Sequence, residues 1–341
     1  MQLLIVGGTR FLGRHIAEAA LAAGHAVTLF NRGRAGPAPA GARALVGDRH
    51  GDLAALAGGR WDAVIDTCGY RPAEVSRLAT VLQGRVGGYV FVSSLSVYAS
   101  TAVGQDEAGA LATLDDPSTE IVDGRSYGPL KALCEAEARR AFGERTLILR
   151  PGLIVGPHDP TQRFTWWPAR LARAADGEPV LAPGAPDTAV QCIDARDVAA
   201  FTLHALATGR GGVFNLASPP GAWSIGELLR CCAEAAGVRP HWCWVPVGTL
   251  QAHGLQPWSE LPLVVPDDAE HAGFMHADVR RALAAGLLLR PLAQTVADTL
   301  AWWRALPPER QAFDQAGLAP ARERDVLRAL GLGRPAPSTP D

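Results

Sequence analysis

Short apolar runs alternate with amphipathic stretches through the first half of the chain. Strand-like segments fall at 2–6, 26–30, 43–46, 62–66, 88–93 and 145–149. Apolar positions recur at helical spacing in several of the gaps, best at 11–23, 72–83 and 126–142. Strands alternating with helices predict right-handed βαβ units and a parallel sheet covered on both faces. Ala63-Val64-Ile65 and Tyr89-Val90-Phe91-Val92 are apolar without a polar break, as strands buried on both faces require. The fold class expected is α/β.

After Arg150-Pro151 the pattern loosens, and Pro, Gly and Trp become frequent. Pieces at 190–193 and 212–216 flank a helix near 195–207 and are expected to return to the sheet. The sheet domain is then 1–152 plus 188–218, with a smaller lobe at 153–187 plus 219–304. Residues 305–341 read as C-terminal helices followed by a disordered Pro335-Ala336-Pro337-Ser338-Thr339-Pro340 tail. No internal repeat is evident.

Composition narrows the class. Of 341 residues, 48% are hydrophobic and 19% charged, enough for a substantial core, and the net charge of −2 offers no global attraction to nucleic acid or acidic membranes. No apolar run approaches the roughly 18 residues needed to span a bilayer. The first strand begins at Gln2, so a cleaved signal peptide is not expected. The six cysteines, Cys68, Cys134, Cys192, Cys231, Cys232 and Cys243, show no metal-ligand spacing and read as reduced, buried side chains. Adjacent Cys231 and Cys232 read as two positions of a buried helix. A cytoplasmic monomer or homodimer without a metal is the expectation.

Strand 2–6 runs directly into Gly7-Gly8-Thr9-Arg10-Phe11-Leu12-Gly13, and a helix follows. Glycines there permit a tight turn and close backbone approach, and the helix N-terminus offers unpaired N–H groups to a pyrophosphate. The placement after a first strand and before a first helix predicts a dinucleotide site on a Rossmann-type doubly wound sheet.

The chain contains one lysine among 32 basic residues, in Tyr127-Gly128-Pro129-Leu130-Lys131. Ammonium is a compact point charge whose pKa responds to its surroundings, whereas guanidinium stays protonated. At i and i+4 of a helix the two side chains share a face. The spacing therefore predicts a tyrosine whose pKa is lowered by a neighbouring positive charge and which serves as an acid or base.

The loop, the Tyr127/Lys131 pair and Ser93-Ser94-Leu95-Ser96-Val97-Tyr98 together resemble the extended short-chain dehydrogenase/reductase family, which includes NAD(P)-dependent epimerases and dehydratases. The resemblance covers roughly residues 1–304. It implies that Ser94 polarises the reacting carbonyl or hydroxyl, that Tyr127 is the acid/base, and that Lys131 bonds the nicotinamide ribose and supports the tyrosine. On the same resemblance Gly7, Thr9, Arg10, Phe11, Leu12, Gly13, Asn31, Arg32, Asp48, Arg49, Thr67, Cys68, Ser93, Pro151 and Ile154 surround the cofactor, together with Tyr127 and Lys131. Arg10 departs from the usual middle glycine of the loop. Asn31 stands where NAD-specific members carry an acidic residue, with Arg32 beside it. Fewer negative and more positive charges favour NADP through guanidinium–phosphate pairing, with NAD the alternative; solvated surface arginines are the other reading of Arg10 and Arg32.

Members acting on nucleotide sugars carry an asparagine where this chain has Leu153, and an arginine near Val190. Both contacts to a diphosphate are missing, although Arg163, Arg170 or Arg196 could replace them. His158, Arg163 and Trp166 are the substrate-side candidates, together with Ser94. Trp166 and Trp167 read equally well as packing, and Trp302-Trp303 as packing of the C-terminal helix. The resemblance thus implies an NADP-preferring oxidoreductase interconverting a ketone and a secondary alcohol on a small polar or sugar-like metabolite. A sugar epimerase working by transient oxidation is the alternative. A non-catalytic dinucleotide sensor or RNA-associated protein is a third reading, since some relatives with a similar loop bind RNA. The intact Ser94, Tyr127 and Lys131, and the absence of a basic patch, argue against it.

Overall fold

The computed structural model describes residues 1–34, 36–116 and 118–333, so the Pro335–Pro340 tail expectation lies outside the described residues. The chain divides into two compact units. The first is Met1–Ile154, Cys192–Pro219 and Ala277–Leu289, and the second is Val155–Gln191, Pro220–His276 and Arg290–Asp341. Residues 277–289 therefore belong with the sheet domain rather than with the lobe to which the sequence reading gave all of 219–304.

In the first unit the elements run β1 (Gln2–Val6), α1 (Phe11–Ala22), β2 (Ala26–Asn31), β3 (Arg43–Val46), β4 (Trp61–Asp66), α2 (Pro72–Leu82), β5 (Val86–Val92), α3 (Tyr127–Phe142), β6 (Thr146–Pro151) and β7 (Leu153–Val155). The chain goes on through α4 (Trp166–Leu171) and β8 (Pro179–Pro183) of the second unit. It then returns through β9 (Cys192–Asp194), α5 (Ala195–Ala207) and β10 (Gly212–Leu216). The second unit resumes with α6 (Ile225–Ala236), β11 (His241–Val245) and α7 (Val247–Ala252). After α8 (Arg280–Ala284) of the first unit, α9 (Leu292–Arg304) and α10 (Pro320–Ala329) complete the second.

Seven strands form one parallel sheet in the order β10-β6-β5-β4-β1-β2-β3. Successive residues of a strand face opposite sides, so one continuous apolar run supplies two cores. Leu3, Ile5, Ala63, Ile65, Val90 and Leu147 pack with α1 and α5 on one face. Leu4, Val6, Val64, Tyr89, Phe91 and Ile148 pack with residues of α2 and α3 on the other. This is the doubly wound α/β arrangement. The strand order reverses at β1, where β2 lies on one side and β4 on the other. The loops leaving the C-terminal ends of β1 and β4 therefore flank the crevice that such sheets use for ligands.

Two expectations need correction here. The piece at 190–193 does not rejoin the sheet: Cys192–Asp194 pairs with Leu153–Val155 in a separate two-stranded sheet, while β10 pairs with β6. Three apolar residues are too few to compete for a central edge, and Asp194 instead caps α5 by accepting from the Arg196 amide. Residues 277–289 return because Ala282, Ala285 and Leu287 are buried in the α1–α5 core.

The second unit has its own two-stranded sheet, β11 parallel to β8, and a cluster in which Ala169, Leu300 and Trp303 are buried. Trp303 packs there as expected. Cys231 and Cys232 are both buried on α6, and all six cysteines are unpaired. Among the described residues no helix is long and apolar enough to cross a membrane.

Candidate functional site

The loop after β1 is a tight cradle. Gly7 and Gly8 have φ of +105° and +88°, a region that side chains disfavour. A β-carbon on Gly13 would come within 2.7 Å of the Gly8 amide nitrogen, so α1 and the loop approach closely only because that position is bare. The Gly7 amide donates to Phe30 at 2.9 Å, and the Thr67 hydroxyl donates to the Val6 carbonyl at 2.9 Å. These bonds tie β1, β2 and β4 together at the crevice. Arg10 is the exposed residue preceding α1 and makes no side-chain cap, which leaves the amides of the first turn to solvent or a ligand. Thr9 and Phe11 are half-buried, and Leu12 and Gly13 are buried. The residues present fit a pyrophosphate.

At the end of β2, Asn31 donates to the Gly7 carbonyl at 3.3 Å and accepts from the Gly33 amide at 2.8 Å. Its amide thus braces the loop. Arg32 is exposed. Asp48 accepts from the His50 amide, which lowers its pKa.

Arg49, expected at the cofactor, is held from within the fold. Its guanidinium is buried and doubly bonded to Asp66, at 2.8 and 2.9 Å, with Glu74 3.5 Å away. The Tyr89 hydroxyl donates to the same Asp66 at 2.8 Å. Burial works against the charge on Arg49, but Asp66 outweighs it and keeps the guanidinium protonated. A charge so enclosed braces the ends of β3 and β4, with its Nε left without a hydrogen-bond partner among the described residues. Cys68 lies against it, its amide donating to Asp66 at 3.1 Å, and burial pushes its thiol pKa up.

Ser94, Tyr127 and Lys131 come together. Ser94 follows β5 and opens a short 3-10 turn, Leu95–Val97, where its hydroxyl accepts from the Ser96 amide at 3.1 Å. Tyr127 begins α3, with Ser94 close enough to act on its pKa. Gly128 makes this contact geometrically feasible, since a β-carbon there would overlap the Ser96 carbonyl oxygen. Lys131 is buried, and its Nζ donates to the carbonyls of Gly69 at 2.9 Å and Val92 at 2.5 Å. Of its three donors one remains.

The expected electrostatics do not hold at Tyr127. Burial raises its pKa, Ser94 opposes that, and Lys131 is not among the groups that move it. The ammonium is instead spent on two carbonyls, and burial brings its own pKa down to about 8. Beside these residues Ser93 is buried, with a hydroxyl that has no partner among the described residues. Pro151 is buried at the end of β6, and Ile154 is half-buried against the α1–α5 core.

Two features escaped the sequence reading. Tyr70, after β4, is 42% exposed, its ring centroid 6.3 Å from that of Tyr127 and 5.4 Å from the Lys131 Nζ. An aromatic directly after Thr67-Cys68-Gly69 was the available signal. The second is a clamp on Arg150, 2% exposed, which is doubly bonded to Glu135 of α3 at 2.9 and 2.6 Å and donates to the Tyr98 hydroxyl at 2.9 Å. Tyr98 donates in turn to Asn215 of β10 at 2.6 Å. The clamp ties the Ser94 turn, α3, β6 and β10 to one guanidinium.

The substrate-side candidates of the lobe lie in the second unit. His158, at φ +70°, lies against Trp302 with centroids 5.2 Å apart. Arg163 donates to the Trp258 carbonyl at 3.3 Å and stands 5.1 Å over its ring. Nearby Asp159 is buried, which pushes its pKa up to about 6. Trp166 is corrected: 4% exposed, it packs edge-on against Trp167 and against Gly317, as core. Arg170 is paired with Glu323 and Glu178, and Arg196 with Asp194.

Residues 3–217 match the family described as the NAD dependent epimerase/dehydratase family. The chain is 26% identical over 260 residues to the chloroplast stem-loop binding protein of 41 kDa b of Arabidopsis thaliana, with 69% of this chain covered. It spans 63% of that relative's length. The fold is similar to that of the UDP-glucuronic acid 4-epimerase from Bacillus cereus in complex with NAD, at 16% identity and TM-score 0.62, covering 89% of this chain and 98% of that one. It is also similar to MoeE5 in complex with UDP-glucose and NAD, at 22% identity and TM-score 0.60, covering 89% and 99%.

Proposed function

The chain belongs to the NAD dependent epimerase/dehydratase family, and we propose that it is an NAD(P)-dependent enzyme of the extended short-chain dehydrogenase/reductase type that exchanges hydride at a secondary alcohol or ketone carbon of a sugar-like substrate. The observation that carries this reading is the placing of Ser94 next to Tyr127, with Lys131 buried one helical turn further along α3, at the C-terminal edge of the sheet.

A bound nicotinamide supplies the hydride acceptor or donor. The protein's own part is orientation and proton transfer. Ser94 holds the substrate oxygen, and Tyr127 exchanges a proton with it. Burial raises the Tyr127 pKa and keeps the hydroxyl protonated at neutral pH, ready to donate to an oxygen gaining negative charge, while the neighbouring Ser94 works in the opposite direction. Lys131 fixes the Gly69 and Val92 carbonyls, and its remaining N–H would bind a ribose hydroxyl of the cofactor. The glycine loop and the first turn of α1 would hold the pyrophosphate. Ser93 supplies a further polar contact.

Transient oxidation followed by rereduction, as an epimerase works, is favoured over net reduction by the family and by neighbours named as sugar epimerases. The substrate panel that tests this begins with UDP-glucose and UDP-glucuronic acid. Turnover without added cofactor supports the epimerase cycle; strict dependence on stoichiometric NAD(P)H supports a net reductase; inertness toward all panel members under both regimes speaks against a sugar-nucleotide substrate.

NADP preference rests on Asn31 in the usual acidic position and on exposed Arg10 and Arg32. The ratio of NADPH to NADH affinity is expected to fall roughly tenfold in Arg32→Ala, the scale of one charge-assisted phosphate contact. An equal ratio removes Arg32 from the argument. Six unpaired cysteines support a reducing, cytoplasmic setting. A second reading, stem-loop RNA binding, is supported by the name of the Arabidopsis relative. A stem-loop that bound wild type and was unaffected by NAD would separate that activity from the dinucleotide site.

A further inference from the structure

The second unit contains a cavity of about 760 Å³ walled by the end of α4, the start of β8 and one side of α10. That size lies within the roughly 300–1,000 Å³ range of small-molecule sites. Four guanidiniums line it, from Arg170, Arg173, Arg324 and Arg328. Only two carboxylates do, and both are spoken for. Glu323 is buried, accepting from Arg170 at 2.7 and 3.2 Å and from the Leu181 amide at 3.1 Å. Glu178 accepts from the same Arg170 at 2.8 Å and from the Ala175 amide at 2.8 Å.

The acids therefore neutralise Arg170 and leave the others. Arg328 pairs with Asp325 at 3.0 Å, but both side chains are largely exposed and such pairs are weak. Arg173 uses its Nε on the Ala169 carbonyl, which leaves its terminal nitrogens available. Arg324 has no hydrogen-bond or ion-pair partner among the described residues. Burial, and then the like charge of Arg170, push the pKa of Arg173 down. Like charges gathered in a concave site repel one another, and a bound anion relieves that repulsion.

We propose that this cavity binds a small phosphate-bearing metabolite, with the phosphate held by Arg173 and Arg324 and the uncharged part against Leu327 and Pro179. Guanidiniums suit this ligand because their planar forks match phosphate oxygens in pairs. The site uses none of the residues assigned to dinucleotide binding or proton transfer.

The test is titration calorimetry of the full chain saturated with NAD, using glucose 6-phosphate as probe and glucose as the neutral control. One saturable site is expected for the phosphate ester and none for glucose, with binding retained at about 0.15 M salt. The Arg173→Gln/Arg324→Gln double variant is expected to weaken it roughly tenfold or more. NADH fluorescence titration of that variant checks that the fold is intact. No saturable binding, equal binding by glucose, or equal binding by the double variant would each overturn the proposal. So would a stem-loop RNA that bound at this site in place of the phosphate ester and was lost in the same variant.

Discussion

Lys131 holds its ammonium between the carbonyls of Gly69 and Val92, over the Phe91 ring at 4.3 Å, and burial brings its pKa to about 8. In the unfolded chain a lysine titrates near 10.4. Between about pH 8 and pH 10.4 the unfolded state therefore binds more protons than the native one. In that window the contribution of Lys131 to stability rises with pH, by at most about 1.4 kcal/mol per unit. Urea unfolding of wild type and Lys131→Met from pH 7.5 to 10.5 reads this directly, because other titrating groups are common to both chains. Wild type gains on the variant across the window; a constant difference would contradict the lowered pKa. That Tyr127 and Lys131 share a helix face was legible in their spacing. Their electrostatics were not, since burial and two distant backbone carbonyls decide them.

The helix α3 carries the Tyr127 hydroxyl, and the Arg150 clamp fixes where that helix sits. Replacing Arg150 with Met leaves Glu135 buried without its cation, which is expected to cost about 3–5 kcal/mol in urea unfolding. Tyr98→Phe keeps the ring over the Arg150 guanidinium and loses the hydroxyl between Arg150 and Asn215, for about 1–3 kcal/mol. If both variants unfold like wild type, the clamp does not hold α3. The strands and helices around it were readable because doubly buried strands are apolar throughout and amphipathic helices keep one period. The clamp itself joins residues 98, 135, 150 and 215, and no local pattern relates positions so far apart. The pairing of Arg49 with Asp66, and of Asp66 with Tyr89, was hidden for the same reason, since these residues meet only in the folded sheet.

At the scale of the whole molecule, the sheet domain is closed by a segment from late in the chain. Asn215 donates to the Asp278 carbonyl at 3.1 Å, the Asp278 amide donates to Gln105 at 2.9 Å, and Arg281 stands 5.2 Å over the Phe214 ring. Periodicity shows that 277–289 contains a short helix but not which core receives it. Leu287 is 2% exposed and its neighbour Leu288 is 81% exposed. Leu287→Ala is expected to destabilise the protein by about 2–5 kcal/mol, and Leu288→Ala to stay within about 0.5 kcal/mol of wild type. Equal effects in denaturant unfolding would mean that this segment does not dock on the α1–α5 core.

Proton transfer at this site depends on one hydroxyl. Tyr127→Phe removes it and leaves the Gly7–Gly13 loop and Lys131 in place. Cofactor affinity by NADH and NADPH fluorescence, and turnover on any substrate that wild type converts, are measured on the same preparation. The expected result is unchanged cofactor affinity with turnover lower by about 10²–10⁴-fold. Turnover kept at the wild-type level with normal cofactor binding would contradict proton transfer by Tyr127 and, with it, the catalytic reading of the Ser94–Tyr127–Lys131 site.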